Sequence, residues 1–327
     1  MYDLRHHGGF LCPVLFSVIQ VYSLAVGDMT RNCPRCYHQT SVVAHPLSMH
    51  GMLLLRILRT STVNTLTTMP ALTLHLFSLT IPAQAFLQSL RQHQIEVVVA
   101  SRPQHIVIHP SLLDTNTLTS HPWDLLALLR IPGDVSAFPS DLQKTVRDEY
   151  KILTGIPSKL LSTYPERDAK LKRETSSIPL TGSLEKAQSQ ARSTSQNLEV
   201  SPELLAFMER LTREYGDKPV TMLNLLHFHH PNGKQSYYQY GQAFVPVAGK
   251  RGGSAKLVGN VVKPSANVDS RGDASRPEHE WWNEISIVHY PSIRHFCDML
   301  AGEDYQAINE RYRLSVSVRS ILWIFRL

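Results

Sequence analysis

The feature that most constrains the fold is an order of segments that occurs twice along the chain. An apolar run begins at Trp123 and ends before Pro132, and a second run begins at Trp282 and ends before Pro291, with the same spacing. Around each run we predict the order strand, helix, strand, strand, helix, strand. Agreement of the whole order, rather than of one short match, indicates a diverged internal duplication.

The second occurrence has the clearer patterns. Its predicted strands are Val220–Phe228, Ala255–Val262, Trp281–Tyr290 and the final run SILWIFRL. The segment KQSYYQYGQAFVPVAGK places apolar and aromatic side chains three or four residues apart, which predicts a helix. A second helix follows Pro291 and is expected to break or bend near Gly302. Before the first strand, Ser201 followed by proline and an apolar stripe predicts a capped helix.

The first occurrence is assigned in the same way. ALTLHLFSL predicts a strand, PAQAFLQSLRQH a helix, and IEVVVASRPQHIVIH extended structure bent at Pro103. WDLLALLRIP predicts a strand, and SAFPSDLQKTVRDEYKILTG is interpreted as a helix ending at Gly155. We therefore predict an extension over residues 1–68, a first half over 69–164, a flexible polar linker over 165–199 and a second half over 200–327.

Residues 1–68 differ in composition from the remainder. Phe10–Gly27 is a short apolar run that Pro13 and Gln20 interrupt. We predict a poorly structured extension outside the fold; a secretion signal or membrane anchor formed by residues 10–27 is the alternative. The Cys33–Cys36 pair lacks the further ligands of a zinc site and the strand–helix context of a redox motif, so it is interpreted as incidental.

Charge and cysteine content narrow the functional class. The formal net charge is +6, but residues 1–68 hold five basic and two acidic residues, so the rest of the chain is nearly balanced. It lacks the basic stripe of a nucleic-acid reader, and we expect no nucleic-acid partner. Only Cys297 follows the first 40 residues, so no disulfide framework is expected. We predict a cytoplasmic protein without stable membrane association.

The second half resembles the dimeric α/β-barrel family known as domain of unknown function 1330. The resemblance rests on MLNLLHF, YGQAF, GGSAKLVGNVV, WWNEISIVHYPS and DYQAINERYR, and covers about residues 219–327. Residues 69–327 as a whole resemble a two-half fungal version of the family. The resemblance implies an α+β fold of tandem ferredoxin-like βαββαβ units whose sheets face each other in a barrel. Such relatives close the barrel by dimerising, which a duplicated chain could do internally as a pseudo-dimer; a homodimer is also allowed.

Strand alternation predicts which side chains share a face. Asn224 lies on one face of its strand, and Glu284 and Ser286 lie on one face of theirs. The opposite faces are uniformly apolar and carry Leu223, Leu225, Ile285 and Ile287. We expect the uniformly apolar faces to pack against helices, so that Asn224, Glu284 and Ser286 point into the barrel. A few polar groups in an apolar cavity are typical of a small-molecule site.

The candidate residues have distinct expected roles. Glu284 could act as a general acid or base if burial raises its pKa, and Asn224 could hold a carbonyl or enolate oxygen. The expected ligand-binding side chains are Ser286, Tyr238, Tyr240 and Trp282. The alternatives are structural: Asn224 caps a local hydrogen-bond network, and Glu284 pairs with an arginine such as Arg313.

These features predict binding of a small polar organic molecule in the barrel cavity. The resemblance implies relatives that include cofactor-free monooxygenases, dehydratases and isomerases, so a cofactor-free enzyme of secondary metabolism is one expectation. A non-catalytic structural or interaction protein with a filled barrel is the other, because fold alone does not give function. His227, His229 and His230 cluster at a strand end without a nearby carboxylate, and no metal or cofactor is expected.

Overall fold

The computed structural model describes residues 71–111, 113–131, 138–187, 192–229, 231–262, 270, 277–314 and 319–326. The predicted extension over residues 1–68, with the apolar run at 10–27 and the Cys33–Cys36 pair, lies outside these residues. So does His230. None of the helices in the described ranges is long and apolar enough to cross a bilayer.

Eight strands and a set of mostly short helices make up the described chain. The strands are β1 (Ala71–Leu79), β2 (Glu96–Ile108), β3 (Leu125–Arg130), β4 (Val146–Gly155), β5 (Val220–His227), β6 (Ser254–Val261), β7 (Glu284–Tyr290) and β8 (Arg319–Arg326). The α-helices are α1 (Ala83–Gln92), α2 (Thr115–Thr119), α3 (Ser140–Gln143), α4 (Ser158–Glu174), α5 (Ser183–Ala187), α6 (Pro202–Tyr215), α7 (Gly233–Gly249), α8 (Ile293–Leu300) and α9 (Glu303–Ile308). A π-helix, Asn309–Leu314, continues α9.

The strands form one closed antiparallel barrel in the order β1-β3-β2-β8-β5-β7-β6-β4, with β4 returning to β1. The first four strands are contiguous as β4-β1-β3-β2, and the last four as β8-β5-β7-β6. Each half therefore uses the same order of its own strands. The halves join where β2 pairs with β8 and where β4 pairs with β6. A single chain thus closes the barrel.

The barrel interior is filled by apolar side chains from all eight strands. They form one buried cluster that includes Leu72, Leu74, Leu76, Val99, Leu126, Leu128, Tyr150, Ile152, Leu223, Leu225, Leu257, Ile285, Ile287, Trp323 and Phe325. An eight-stranded barrel is just wide enough for side chains to fill it. The interior is consequently a hydrophobic core that joins the two halves.

The residues that follow the two corresponding tryptophans make equivalent hydrogen bonds. The backbone N–H of Leu79, at the end of β1, donates to Asp124 Oδ2 at 2.8 Å. The backbone N–H of Phe228, just after β5, donates to Asn283 Oδ1 at 2.7 Å. In each half this hydrogen bond therefore joins the end of the first strand to the residue just before the third strand.

Most predicted elements are confirmed. The four second-half strands are present, the helix after Pro291 breaks at Gly302, and Ser201 caps α6 by accepting from the Leu204 N–H at 3.2 Å. The extended segment is a single strand, β2, whose register with β8 shifts at Pro103. Local patterns were sufficient here because capping and alternation agree with the tertiary contacts.

The helix predicted over residues 136–155 is wrong in its longer part. Only α3 is helical, and Val146–Gly155 forms β4, which pairs with β1 along its whole length. Its charged stretch suggested an exposed helix. Tyr150 and Ile152, two residues apart, instead enter the barrel interior. Cross-strand pairing and burial decide strand formation more strongly than local preference.

The linker predicted over residues 165–199 also differs from the structure. Helix α4 extends from residue 158 to 174, and its Leu160, Leu161 and Tyr164 pack with the barrel-interior cluster. Further along, the carboxylate of Asp168 accepts a hydrogen bond from Lys256 Nζ of β6 at 2.7 Å. The polar composition was misleading because a helix needs only one narrow apolar stripe in order to dock.

A buried ion network holds the following segment in place. Asp298 of α8 accepts hydrogen bonds from the backbone N–H groups of Thr181 and Leu184 and from Arg251 Nε, at 2.9, 3.0 and 3.2 Å. Arg251 is itself buried and also contacts Asp304 at 3.1 Å. Because the carboxylate receives several donors, its pKa is held below the ordinary value despite the desolvation that acts the other way.

Candidate functional site

The polar residues of β5 and β7 lie on the face opposite to the one predicted. Leu223 and Ile287 belong to the barrel interior, whereas Asn224 and Ser286 line a cavity under helix α7. Glu284 follows the same alternation and has Lys234 of α7 as its charged neighbour. The prediction that these polar side chains point into the barrel is therefore wrong. The closed barrel is the drier environment, so it receives the uniformly apolar faces.

The cavity lies between the sheet and helices α7, α8 and α9, and measures about 50 Å³. One buried water needs about 10–15 Å³ of such space, so the cavity admits a group of a few heavy atoms. It is lined by Leu198, Met222, Asn224, Tyr237, Tyr240, Gly241, Phe244, Val245, Ala255, Ser286, Val288, Tyr290, Phe296, Met299, Tyr305 and Leu322. An apolar wall with a few polar groups is typical of a ligand site.

Two polar pairs lie in this wall. Asn224 Nδ2 donates a hydrogen bond to Ser286 Oγ at 3.3 Å, across directly paired positions of β5 and β7. The hydroxyl oxygens of Tyr240 and Tyr305 are 3.1 Å apart. Burial raises the pKa of Tyr240, which keeps its phenol protonated and able to donate. The cavity thus offers an amide, an aliphatic hydroxyl and two phenols.

Helix α7 brings its aromatic face to the cavity for a local reason. It begins at Gly233, directly after the turn at Pro231 and Asn232, and Tyr237, Tyr240 and Phe244 recur at three- and four-residue spacing. Their rings pack in sequence, with centroids 5.3 Å apart for the tyrosines and 5.7 Å apart for Tyr240 and Phe244. These tilted ring contacts restrict the orientation of the Tyr240 side chain.

Glu284 is the most strongly perturbed acid of this region. It is only 6% exposed, and burial raises its pKa from 4.5 to about 7, although Lys234 acts in the opposite direction. Its Oε1 atom is buried and has no hydrogen-bond partner among the described residues. Lys234 Nζ donates instead to Asn260 Oδ1 at 3.1 Å. A carboxyl group with this pKa is present in both protonation states near neutral pH, as a general acid or base requires.

Glu284 and the Asn224–Ser286 pair occupy one face of the sheet. Glu284 and Ser286 are two residues apart on β7, a separation of about 7 Å along the strand. Glu284 does not line the 50 Å³ cavity itself. The acid and the polar pair are therefore neighbours on the helix-covered face of the sheet.

Two predicted site residues lie elsewhere. The Tyr238 hydroxyl accepts a hydrogen bond from Gln242 Nε2 at 3.0 Å on the outer side of α7. Trp282 is buried with the barrel-interior cluster, and its indole N–H has no acceptor among the described residues. The alternative pairing of Glu284 with Arg313 is absent from the described contacts, in which Arg313 Nη2 donates to Ser320 Oγ at 2.8 Å.

Sequence reasoning missed three participants, namely Lys234, Asn260 and Tyr305. Tyr305 had a weak signal, since it stands in the helix that follows Pro291. Lys234 and Asn260 had none. Asn260 comes close to Glu284 through pairing between β6 and β7, where the two residues stand opposite each other, and Lys234 does so through the packing of α7 on the sheet. Strand register across a long loop is a tertiary property.

His227 and His229 are the described members of the histidine cluster at the end of β5. His227 Nδ1 is 2.6 Å from the carbonyl oxygen of Trp281, which accepts its N–H. In the described ranges, no group of three or more histidine, cysteine or acidic side chains is arranged to hold a metal ion.

Comparison with known proteins adds little to this geometry. No family model matches the chain, and no curated protein matches it. Among solved structures, the chain is similar to a protein of unknown function from Rhodopseudomonas palustris, with 22% identity. The match covers 40% of this chain and 95% of that one, with a TM-score of 0.28. A likeness of this extent does not identify a function.

Proposed function

We propose that the chain binds a small polar organic molecule between the sheet and α7, and acts on it as a cofactor-independent acid–base enzyme. The observation that carries this proposal is Glu284, a buried carboxyl group with a pKa of about 7 and an unpartnered Oε1. Perturbed acids of this kind are frequent at functional sites. The ligand site proposed here is the helix-covered side of the sheet, because the barrel interior is filled.

The chemistry that fits is proton transfer next to a carbonyl group. In its ionised form Glu284 removes a proton from carbon, and in its protonated form it returns one, so an isomerisation leaves the enzyme unchanged. The amide of Asn224 and the hydroxyls of Tyr240 and Tyr305 are donors for an oxygen on which negative charge develops. Dehydratases and isomerases share this requirement. The substrate inserts its carbonyl end, since the cavity admits only a few heavy atoms.

We further propose that the two halves are diverged ferredoxin-like units and form a pseudo-dimer within the chain. The equal strand order of the halves supports this, as do the equivalent hydrogen bonds of Asp124 and Asn283. A barrel closed by two four-stranded sheets is also what the resemblance to domain of unknown function 1330 implies. Membership of that family is part of this proposal.

A non-catalytic role is the second candidate. The observation in its favour is the barrel interior, where Leu74, Leu128, Leu225 and Phe325 pack together and occupy the space a ligand would need. In that case Asn224 and Ser286 only satisfy each other, and Glu284 stays protonated in the core.

The deciding experiment is mass spectrometry of small molecules that co-purify with the protein from its native source. The molecule found is then offered to the wild type, to Glu284→Gln and to Asn224→Ala. We expect Glu284→Gln to bind it without turnover, and Asn224→Ala to bind it more weakly. Glu209→Gln and Asn116→Ala, at exposed helical positions, control for the loss of a charge and of an amide. Unchanged binding and turnover in both site variants would refute the proposal.

A further inference from the structure

A second and larger cleft lies between α4 and the C-terminal part of α7, above the start of β6. Its volume is about 490 Å³, within the usual range for small-molecule sites. The wall contains Arg167, Lys170, Leu171, Glu174, Ile178, Phe244, Val245, Pro246, Gly249, Lys250, Gly252, Gly253, Ser254, Ala255, His289 and Pro291. Three side chains are basic and one is acidic, and most of the remainder are apolar.

Among these basic groups Arg167 lacks an acidic partner in the described chain. Lys170 lies 3.8 Å from Glu174, and Lys250 lies 3.3 Å from Asp304. Among the described residues, the guanidinium of Arg167 donates only to a carbonyl oxygen, from Nη2 to Ala255 at 3.1 Å, and its buried Nη1 has no partner. Burial lowers the pKa of Arg167, because the charged guanidinium is partly removed from water.

His289 adds a second unsatisfied group to the same wall. Its side chain is fully buried, and neither ring nitrogen has a hydrogen-bond partner among the described residues. Burial, assisted by the charge of Lys256, lowers its pKa to about 3, so the ring is neutral and carries one N–H. Buried polar groups are normally paired, and an orphaned imidazole in a cleft wall is consistent with a polar ligand.

We propose that this cleft binds an amphipathic organic carboxylate, whose anionic head pairs with Arg167 and whose apolar body lies along the α4–α7 groove. A guanidinium and a carboxylate form charge-assisted, often bidentate hydrogen bonds, and a partly desolvated arginine gains most from such a partner. Leu171, Ile178 and Pro246 supply apolar contact for the body. The site is separate from Glu284, so this inference stands whether or not the proposed acid–base function is correct.

The test is calorimetric titration of the full chain with decanoate below its micellar concentration, and with decan-1-ol as the uncharged analogue. We expect one decanoate to bind per chain, and decan-1-ol to bind at least about tenfold more weakly because it cannot pair with Arg167. Equal affinity for the two compounds, or no binding of decanoate, overturns the proposal.

Variants locate the site. Arg167→Gln removes the charge and keeps a donor for the Ala255 carbonyl, and should weaken decanoate binding at least about tenfold. Arg173→Gln makes the same change at an exposed position of the same helix and should bind as the wild type.

A third variant narrows the cleft and leaves its charged residues unchanged. Gly249 lines it, and a Cβ placed there meets no atom within 4 Å, so Gly249→Leu should fold normally and bind decanoate less tightly. Equal affinities for the Arg167 and Arg173 variants, with both folded by circular dichroism, would contradict the assignment of the anion site.

Discussion

Replacing Glu284 by glutamine should change how the stability of the protein depends on pH. The folded state holds the Glu284 proton up to a pKa of about 7, whereas the ordinary value is 4.5. Between these values the folded state binds more protons than the unfolded chain, so the free energy of unfolding falls as pH rises. The difference corresponds to about 3 kcal/mol at about 1.4 kcal/mol per pKa unit. Glutamine cannot ionise, so the variant lacks this pH-dependent contribution to the free energy of unfolding.

The measurement is urea unfolding, followed by circular dichroism, of the wild type and Glu284→Gln at intervals from pH 4.5 to pH 8. The variant should gain stability relative to the wild type across this range, by about 3 kcal/mol in total, with no further change above pH 8. Exposed Glu209→Gln is the matched control. Parallel curves for the wild type and Glu284→Gln would show that Glu284 ionises as it does in the unfolded chain, and would remove the basis of the acid–base role.

Three further substitutions test other parts of the structure. Asp298→Ala leaves Arg251 buried with fewer acceptors, and urea unfolding should show a loss of about 3–5 kcal/mol. Lys256→Met removes the buried partner of Asp168, and should cost less because that carboxylate keeps a second lysine on its own helix. His289→Leu should reduce the loss of stability as the pH falls from 6.5 to 3. In this range the imidazole is protonated in the unfolded chain but stays neutral in the folded state, because burial lowers its pKa to about 3. Equal loss of stability in the variant and the wild type would contradict this.

Strands and caps could be predicted from the sequence because their signals are local. Ser201 before a proline gave the start of α6, and β5 and β7 have the β-branched and apolar content of strands. Strand β4 could not be predicted in the same way. Its Arg147-Asp148-Glu149 stretch is compatible with a helix, and only pairing with β1 determines its conformation.

The sequence predicted some residues of the candidate site, namely Asn224, Tyr240, Glu284 and Ser286, but not the location of the site. Alternation correctly groups Asn224 with one face of β5 and Ser286 with one face of β7, and the register then makes them direct neighbours. It does not say which face meets the helices. The answer depends on barrel closure. Closure encloses one face of every strand in the barrel interior, so the polar groups lie on the other face, which the helices cover.

The two halves differ at the candidate site, and this difference has a physical explanation. Register and the corresponding tryptophans place Leu125 at the position of Glu284 and Ala127 at that of Ser286. Leu125 and Ala127 belong to the apolar cluster that α1 covers. The residue paired with Ala127 is the buried His75, which stands at the position of Asn224 and lies 2.6 Å from Glu149. In a symmetric dimer every substitution falls on both sheets, so a buried acid such as Glu284 destabilises the assembly twice. In a single chain that closes its own barrel, one half can keep leucine and alanine at these two positions while the other carries a carboxyl group whose Oε1 has no hydrogen-bond partner among the described residues.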